Sequence, residues 1–268
     1  MLKWDAISTK ECQYWDAAAE NWRKSHAHSL WRIYSDKINI IFLAKWLQSH
    51  CIEHLLKTDL FDEACSGGLY PFLASKAQNA VGMDISYVTV HAARQKCNRL
   101  KAAQADVRRL PFADDTFDMI ISNSTLDHFE SRHEIVAALR EYYRVLRPDG
   151  ILLLTFDNLA NPIITLRNLL PFRLLKYMGI VPYYVGATFT PHHLRKILTQ
   201  LQFDVLQLTG LMHFPRILIV AISRILNKGI DRGIQSRLLR ILLGFEFLSK
   251  WPTKFLTGHF IGVQASKH

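Results

Sequence analysis

The stretch from Leu60 to Asp84 constrains the fold more than any other part of the chain. It begins with LFDEACSGG, in which an apolar run ends at Asp62 and small residues follow, and it ends with a second apolar run, AVGMD. A strand, a tight loop, a helix and a second strand fit this pattern. Such a unit brings backbone N–H groups at a helix start against a ligand and directs a carboxylate from the second strand towards it. An ordinary strand-helix-strand unit with a small-residue turn fits the pattern as well.

The same alternation of strand and helix continues to the end of the chain. It predicts an α/β fold, in which a mostly parallel, doubly covered sheet carries helices on both faces. The predicted strands are 59–63, 80–84, 102–105, 117–122, 151–156, 203–209 and 259–266, and the predicted helices are 69–77, 87–100, 131–146 and 191–201.

Two apolar stretches interrupt this alternation and divide the chain into six segments. We expect an N-terminal helical lid, an α/β core, an apolar insertion, a core helix with its strand, a basic amphipathic helical insertion and a final strand. Their predicted bounds are 1–57, 58–160, 161–187, 188–210, 211–258 and 259–268. Aromatic residues of the first segment, Tyr14 among them, either close over a ligand or pack a helix on the sheet.

The net charge of +10 is confined to the C-terminal part of the chain. Residues 1–158 contain 19 basic and 20 acidic side chains, whereas residues 159–268 contain 14 basic and only 3 acidic ones. This asymmetry indicates that the C-terminal part meets something anionic. The four cysteines form no CxxC pair, and the sequence shows neither a signal-peptide pattern nor an apolar run long enough to span a membrane. We therefore expect reduced thiols and a cytoplasmic protein.

Acidic residues recur near the ends of successive apolar runs. Asp84 follows Asp62 by 22 positions, Asp106 follows Asp84 by 22, and the strand that Asp118 opens ends at Asn123. The carboxyl ends of parallel strands share one edge of an open sheet, where ligands bind. Because one carboxylate can accept both hydroxyls of a ribose and another can bind an adenine, the spacing points to an adenosine-containing cofactor.

These residues resemble the class I S-adenosylmethionine-dependent methyltransferases, in particular their small-molecule, quinone and lipid branch. The resemblance covers about residues 58–158 and lies in FDEACSGG, VGMDIS, DVRRLPFADDTFDMIISNSTLDHF and LRPDGILLL. It implies a Rossmann-like sheet of seven strands whose last strand is antiparallel, with S-adenosylmethionine as cofactor and S-adenosylhomocysteine as product. The implied cofactor-binding residues are Asp62, Ala64, Cys65, Gly67, Gly68, Asp84, Ile85, Asp106, Val107 and Asn123, and Tyr14 is a further candidate from the lid.

One departure from the family pattern lies in the small-residue loop. The family prefers glycine at the positions of Ala64 and Ser66, and a Cβ there disfavours positive φ. The loop must therefore take a different path or leave less room for the cofactor's carboxylate. NAD is the alternative nucleotide, but ACSGGL does not supply the expected GxGxxG.

Methyl transfer needs a base only when the acceptor is a phenol, a hydroxyl or a carbon acid. His128 is the leading candidate for that base, because the resemblance puts STLDHF beside the methyl group, and Asp127 is a candidate to orient its imidazole. Local packing of His128 is the alternative. The histidines have no carboxylate or cysteine companions at ligand spacing, so we expect no metal site.

The acceptor is left open by the sequence. Basic residues alternate with leucine and isoleucine in 211–258, as in a helix that lies on an anionic membrane surface, although a helical cap on the sheet fits too. Nucleic acid is a less favoured partner for these basic residues, since they are not interleaved with aromatic residues that could stack on bases. Two hypotheses follow: a methyltransferase for a hydrophobic acceptor such as a prenyl quinone, a lipid or a lipophilic natural product, or a non-catalytic regulator that binds the cofactor or its product. The oligomeric state cannot be predicted.

Overall fold

The computed structural model describes residues 9–24, 29–47, 52–65, 68–178, 181, 183–226 and 232–268. Its strands are β1 (Ile52–Lys57), β2 (Ala77–Asp84), β3 (Lys101–Gln104), β4 (Phe117–Asn123), β5 (Leu146–Asp157), β6 (Phe203–Leu211) and β7 (Phe260–Lys267). Its helices are α1 (Thr9–Lys24), α2 (Ser29–Leu47), α3 (Phe61–Cys65), α4 (Tyr70–Ala74), α5 (Tyr87–Lys96), α6 (Arg132–Val145), α7 (Pro162–Leu169), α8 (Phe172–Tyr177), α9 (Pro191–Gln200), α10 (Arg216–Leu226), α11 (Arg232–Gly244) and α12 (Lys254–Thr257), with 3-10 turns at Leu126–His128 and Phe245–Lys250.

The seven strands form a single sheet in the order β3-β2-β1-β4-β5-β7-β6. Strands β1 to β5 pair in parallel, and β7 runs antiparallel to both of its neighbours. The predicted α/β fold with an antiparallel last strand is thereby confirmed. All five parallel strands present their carboxyl ends at one edge, and the chain order reverses direction between β1 and β4, which is where open sheets of this type bind ligands.

Consecutive side chains of the strands point to opposite faces and build two cores. Leu55 and Ile121 pack on one face with helices α2, α4, α5, α10 and α11, whereas Leu56 and Ile120 pack on the other with α6 and α9. Both faces of the sheet are thus covered, as the near-continuous apolar runs in the strands require.

The first strand lies earlier in the chain than the sequence predicted. β1 is Ile52–Lys57, and the predicted strand at 59–63 is wrong because Phe61–Cys65 is the short helix α3. The sheet therefore begins before the predicted boundary at 58. The hydrophobic pattern missed this strand because the strand ends on the charged residue Lys57. In the fold Lys57 is only 1% exposed, and Glu63 neutralises its charge inside the protein. Asp62 consequently lies in α3 rather than at a strand end, and Asp59 lies nearer to the end of β1.

The remaining core elements agree with the sequence, and side-chain caps fix where several helices begin. Ser86 caps α5, Ser131 forms a reciprocal capping box with Glu134 in α6, and Thr190 caps α9 ahead of a proline. The apolar insertion contains α7 and α8, and the basic insertion contains α10 to α12. None of the helices in the described residues combines the length and apolar character needed to cross a membrane.

Candidate active site

A cavity of about 420 Å³ lies at the carboxyl edge of the parallel strands. This size falls within the range of small-molecule sites. Helices α1 and α2 and the segment around Tyr183 and Tyr184 close it from above, and the strand ends form its floor. The cavity brings together eight of the predicted site residues: Tyr14, Asp62, Asp84, Ile85, Asp106, Val107, Asn123 and His128.

The other predicted site residues do not line the cavity. Ala64 is buried in the core, Cys65 is half-buried in α3, Gly68 lies against Glu63, and Asp127 is buried behind the cavity wall. Gly67 lies outside the described residues, as does Ser66. The structure therefore supports the predicted binding residues of β2, β3 and β4 but departs from the family arrangement in the small-residue loop.

Asp84 lies at the end of β2 and is held by two backbone donors. Its carboxylate accepts hydrogen bonds from the Leu60 N–H (3.0 Å) and the Ser86 N–H (2.8 Å). Burial raises the pKa of Asp84 to about 7, and the nearby Asp59 adds to this effect. Because a carboxylate offers about four acceptor positions, Asp84 retains the capacity to accept hydroxyl groups of a ligand in the cavity.

Asp106 is fixed by an arginine that ties the lid to the sheet. The Arg108 backbone N–H (2.8 Å) and its Nε (3.0 Å) both donate to Asp106 Oδ1. The same guanidinium also donates to Glu134 of α6 at 2.6 Å and pairs with Glu11 of α1. These carboxylates hold the pKa of Arg108 above its usual value despite partial burial. The network anchors α1 over the edge of β3 and orients Asp106 and Val107 towards the cavity.

The described part of the small-residue loop differs from the prediction that its backbone N–H groups face a ligand, because the internal Glu63 carboxylate accepts them. Glu63 accepts hydrogen bonds from the Leu69 N–H (2.8 Å) and the Tyr70 N–H (3.0 Å), and Lys57 Nζ donates to it at 2.9 Å. Gly68 has a φ of +60°, and a Cβ there would lie 2.7 Å from Glu63. The backbone donors at the start of α4 are therefore already satisfied, and they do not face the cavity.

Arg32 brings a guanidinium to this end of the cavity, which the sequence did not predict. Its Nη1 donates to Asp62 Oδ1 at 2.7 Å, and the guanidinium lies 5.0 Å from the centre of the Phe61 ring. The Asp62 carboxylate outweighs the effect of burial and raises the pKa of Arg32. No sequence signal could have identified it, because SLWRIY looks like any amphipathic helix segment.

Asn123, at the end of β4, carries an unsatisfied amide. The residue is 6% exposed, and neither its Oδ1 nor its Nδ2 has a hydrogen-bond partner within the described part of the chain. Buried amides are nearly always hydrogen-bonded in folded proteins. Since Asn123 lines the cavity, a ligand with both donors and acceptors would complete it, which fits the polar groups of S-adenosylmethionine.

His128 is held by a backbone carbonyl and two aromatic rings. Its Nδ1 lies 2.9 Å from the Tyr184 carbonyl oxygen, and its ring centre lies 4.9 Å from that of Trp15 and 5.1 Å from that of Tyr183. A carbonyl only accepts, so Nδ1 carries a proton and Nε2 of the neutral ring is an acceptor. The imidazole is thus arranged to take a proton from a group in the cavity.

Asp127 does not orient this imidazole, contrary to the sequence prediction. Its Oδ2 accepts a hydrogen bond from Ser124 Oγ at 2.7 Å, and its Oδ1 has no partner among the described residues. Burial raises the pKa of Asp127 to about 6. No hydrogen bond joins the two side chains in the described part of the chain, and the Tyr184 carbonyl takes the orienting role.

Two neighbouring residues in the middle of α1 fasten the lid. Tyr14 Oη accepts a hydrogen bond from the Tyr184 N–H at 2.7 Å, and Asp16 accepts one from Ser86 Oγ at 2.5 Å and one from the Val88 N–H at 3.1 Å. These contacts connect α1 to the segment beside His128 and to the start of α5. The predicted lid position of Tyr14 is consistent with this geometry.

One group of potential metal ligands lies far from the cavity. Glu53, His54 and Asp118 converge at the amino-terminal ends of β1 and β4. Asp118 already accepts the His54 N–H at 2.8 Å and pairs with Arg147 at 2.6 Å. These bonds hold the pKa of Asp118 below its usual value and explain the cluster without a metal ion.

Comparisons with known proteins find similarity between this chain and methyltransferases. Residues 61–154 match the family described as "Methyltransferase domain". The ubiquinone biosynthesis O-methyltransferase of Rickettsia akari is 19% identical over 78% of this chain and 84% of its own length. The malonyl-[acyl-carrier protein] O-methyltransferase of Legionella pneumophila is 32% identical over 36% of this chain and 35% of its own. The chain spans less than half the length of several other curated relatives that it matches.

A solved structure extends the similarity to the whole fold. The N-methyltransferase NodS from Bradyrhizobium japonicum, in complex with S-adenosylhomocysteine, superposes with a TM-score of 0.58 at 13% identity. The superposition covers 95% of this chain and 98% of NodS. The likeness in fold therefore extends well beyond the matched residues 61–154.

Proposed function

We propose, starting from the chain's membership of the class I S-adenosylmethionine-dependent methyltransferases, that it transfers a methyl group from this cofactor to a hydrophobic small-molecule acceptor. The observation that carries the proposal is the cavity, in which the carboxylates of Asp84 and Asp106, the unsatisfied Asn123 amide and the free nitrogen of His128 lie together. S-adenosylmethionine supplies an activated methyl group on a sulfonium.

The residues present fit the cofactor at its nucleoside end. Asp84 would accept the ribose hydroxyls, Asp106 with the Val107 N–H would bind the adenine, and Asn123 would contact the part nearest to the methyl group. Where the amino-acid end of the cofactor would lie, the backbone N–H groups of the loop already donate to the Glu63 carboxylate. Arg32, held against Asp62 at the cavity wall, offers a cation there for a carboxylate.

The protein's main contribution to methyl transfer is to orient the acceptor and exclude water. Trp15, Tyr183 and Phe172 supply apolar walls around His128, which favours an aromatic or aliphatic acceptor over a sugar or a peptide. Where the acceptor atom is a hydroxyl, Nε2 of His128 would accept its proton. General-base catalysis of this kind contributes roughly 100- to 10,000-fold to a rate.

Transfer of a tritium-labelled methyl group into heptane-extractable product tests the proposal. The acceptors would be a prenylated catechol, an alkylphenol and a long-chain fatty acid. We expect labelled product with at least one of them, a loss of product in Asp84→Ala, and a large fall in kcat in His128→Ala with unchanged affinity for S-adenosylhomocysteine. Tight cofactor binding with no transfer to any acceptor would instead favour the non-catalytic regulator.

The two insertions carry an apolar and basic surface that supports contact with an anionic membrane. Large apolar side chains protrude from α7 and α8 and from the segment 216–256, for example Leu169 (76% exposed), Tyr177 (90%) and Trp251 (54%). Exposed basic residues accompany them: Arg173, Lys176, Arg237, Arg240 and Lys250. Exposed apolar side chains interspersed with cations are typical of interfacial membrane segments.

Flotation with vesicles tests this contact. We expect the protein to float with phosphatidylcholine vesicles that contain phosphatidylglycerol, and less with phosphatidylcholine alone or at high salt. Leu169→Glu combined with Tyr177→Glu should reduce flotation, whereas Tyr87→Glu, an exposed apolar position on α5, serves as the matched control. Equal flotation of all three proteins would reject a role for these insertions in membrane contact.

A further inference from the structure

The cavity extends well beyond the half that the cofactor residues occupy. Asp84 lies at the end of β2, whereas Thr155 and Phe260 line the cavity from β5 and β7. Four strand-to-strand steps separate β2 from β7 in the sheet order, which corresponds to about 19 Å. The half of the cavity over β5 and β7, here called the acceptor half, is therefore available to a second ligand.

Arg216 brings a cation to the acceptor half. It is the first residue of α10 and half-buried, and its guanidinium lies 5.1 Å from the centre of the Trp31 ring. In the described ranges no carboxylate forms an ion pair with Arg216. The nearest buried acid of this region, Asp157, is instead paired with Arg167 at 2.7 Å. Arg216 thus lies against an aromatic wall of the cavity with no direct ion pair among the described residues, and its charge helps to lower the pKa of the nearby Asp157.

A buried amide lines the same cavity. Asn39 lines the cavity, is 5% exposed, and has an Oδ1 without a partner among the described residues. Trp31, Ser35 and Asn39 follow each other at four-residue spacing and all line the cavity, so they form one face of α2. The face of α2 that contacts Arg216 through Trp31 therefore also presents a hydrogen-bond acceptor, the Asn39 amide oxygen, that has no donor among the described residues.

We propose that the acceptor carries an oxyanion, a carboxylate or a phosphate, which Arg216 binds in the acceptor half. This inference rests on the proposed function and narrows it to acidic amphipathic acceptors. The planar guanidinium matches such oxyanions geometrically, and its contact with Trp31 holds it in place before the ligand binds. The apolar side chains of Met212 and Phe260, at the β6 and β7 end of the cavity, lower the local polarity around the guanidinium and suit the acceptor's hydrocarbon part.

The charge pattern of the cavity agrees with this assignment. The carboxylates of Asp59, Asp84 and Asp106 lie at the β1 to β3 side, where they suit a cofactor with a positive sulfonium. The unpaired cation lies on the opposite side. An anionic acceptor would be repelled from the first side and attracted to the second, so the field of the cavity would direct each ligand to its own half.

Calorimetry on the full chain saturated with S-adenosylhomocysteine tests the inference. The probes are dodecanoate, dodecyl phosphate and dodecanol, which share one hydrocarbon chain and differ in the head group. We expect one or both anions to bind about 10- to 100-fold more tightly than the alcohol, the range of a charge-assisted hydrogen bond. Comparing the two anions distinguishes a carboxylate from a phosphate site.

Three variants assign the preference to the proposed residue. Arg216→Gln should abolish the preference for the anion and leave the affinity for S-adenosylhomocysteine unchanged, and Arg216→Lys should retain part of it. Arg240→Gln, which removes an exposed arginine of α11, should behave as wild type. Normal S-adenosylhomocysteine binding without anion preference, or a preference that survives in Arg216→Gln, would overturn this inference alone. A wild-type protein that does not bind S-adenosylhomocysteine would overturn the proposed function and this inference with it.

Discussion

The buried pair between Lys57 and Glu63 yields a quantitative prediction for the substitution Glu63→Gln. Lys57 is 1% exposed and Glu63 fully buried, and Glu63 accepts the Lys57 ammonium at 2.9 Å as well as two backbone N–H groups. Glutamine keeps an oxygen for the backbone donors but removes the negative charge. Breaking one partner of a buried ion pair costs about 3–5 kcal/mol. Because Lys57 retains Asp59 at 3.4 Å, we expect the lower end, about 3 kcal/mol of unfolding free energy.

Urea unfolding followed by far-ultraviolet circular dichroism measures this loss, provided that the slope of the free energy against urea stays constant. The double variant Lys57→Met with Glu63→Gln removes both charges and should recover to within about 1 kcal/mol of wild type, since neutral replacements of buried pairs are often tolerated. A loss of unfolding free energy below about 0.5 kcal/mol in Glu63→Gln would refute the assignment of Glu63 as the counter-ion of Lys57. The assignment would also be refuted if the double variant were less stable than either single variant.

Three further predictions concern the site and its surroundings. Burial raises the pKa of Asp84 to about 7, so its carboxylate is fully ionised only above that pH. Calorimetry should therefore show the affinity for S-adenosylhomocysteine rising between about pH 6 and pH 8, whereas the affinity of Asp84→Asn should not change over this range. Burial lowers the pKa of His259 to about 3, so below about pH 6.5 the unfolded chain takes up a proton at this histidine that the folded protein does not. Thermal unfolding should therefore show stability declining from about pH 6.5 towards pH 3, and less steeply in His259→Asn. Equal slopes of stability against pH in the two proteins would contradict the buried neutral state. Tyr14→Phe removes the acceptor of the Tyr184 N–H and should cost roughly 1 kcal/mol of lid closure, seen as faster amide hydrogen exchange in α1; unchanged exchange would separate Tyr14 from the closure of the lid.

The alternating apolar runs were sufficient to predict most of the sheet, because strands β2 to β7 carry few charges inside their apolar sequence. The hydrophobic pattern failed to predict β1 for a physical reason. IEHLLK contains Glu53, His54 and Lys57, and only the tertiary contact between Lys57 and Glu63 makes a buried strand of it. A pattern based on hydrophobicity cannot anticipate a charge that is neutralised by a residue six positions further along the chain.

The acids of the site and His128 were predictable, whereas its arginines were not. Asp84 and Asp106 follow strands at regular intervals, and their positions at the sheet edge follow from topology alone. Arg32 and Arg216 reach the cavity from helices outside the matched core. Their spacing within an amphipathic helix carries no information about whether the side chain faces a ligand or the solvent. The orientation of His128 by the Tyr184 carbonyl likewise depends on a contact 56 positions apart.

Calorimetric titration of the purified chain with S-adenosylmethionine and S-adenosylhomocysteine, in wild type and Asp84→Ala, tests the central claim most directly. We predict micromolar binding of both ligands to wild type despite the altered loop around Ala64, and no measurable binding to Asp84→Ala. Absence of binding to a folded wild-type protein, or an Asp84→Ala variant with unchanged affinity, would contradict the assignment of this cavity as the cofactor site.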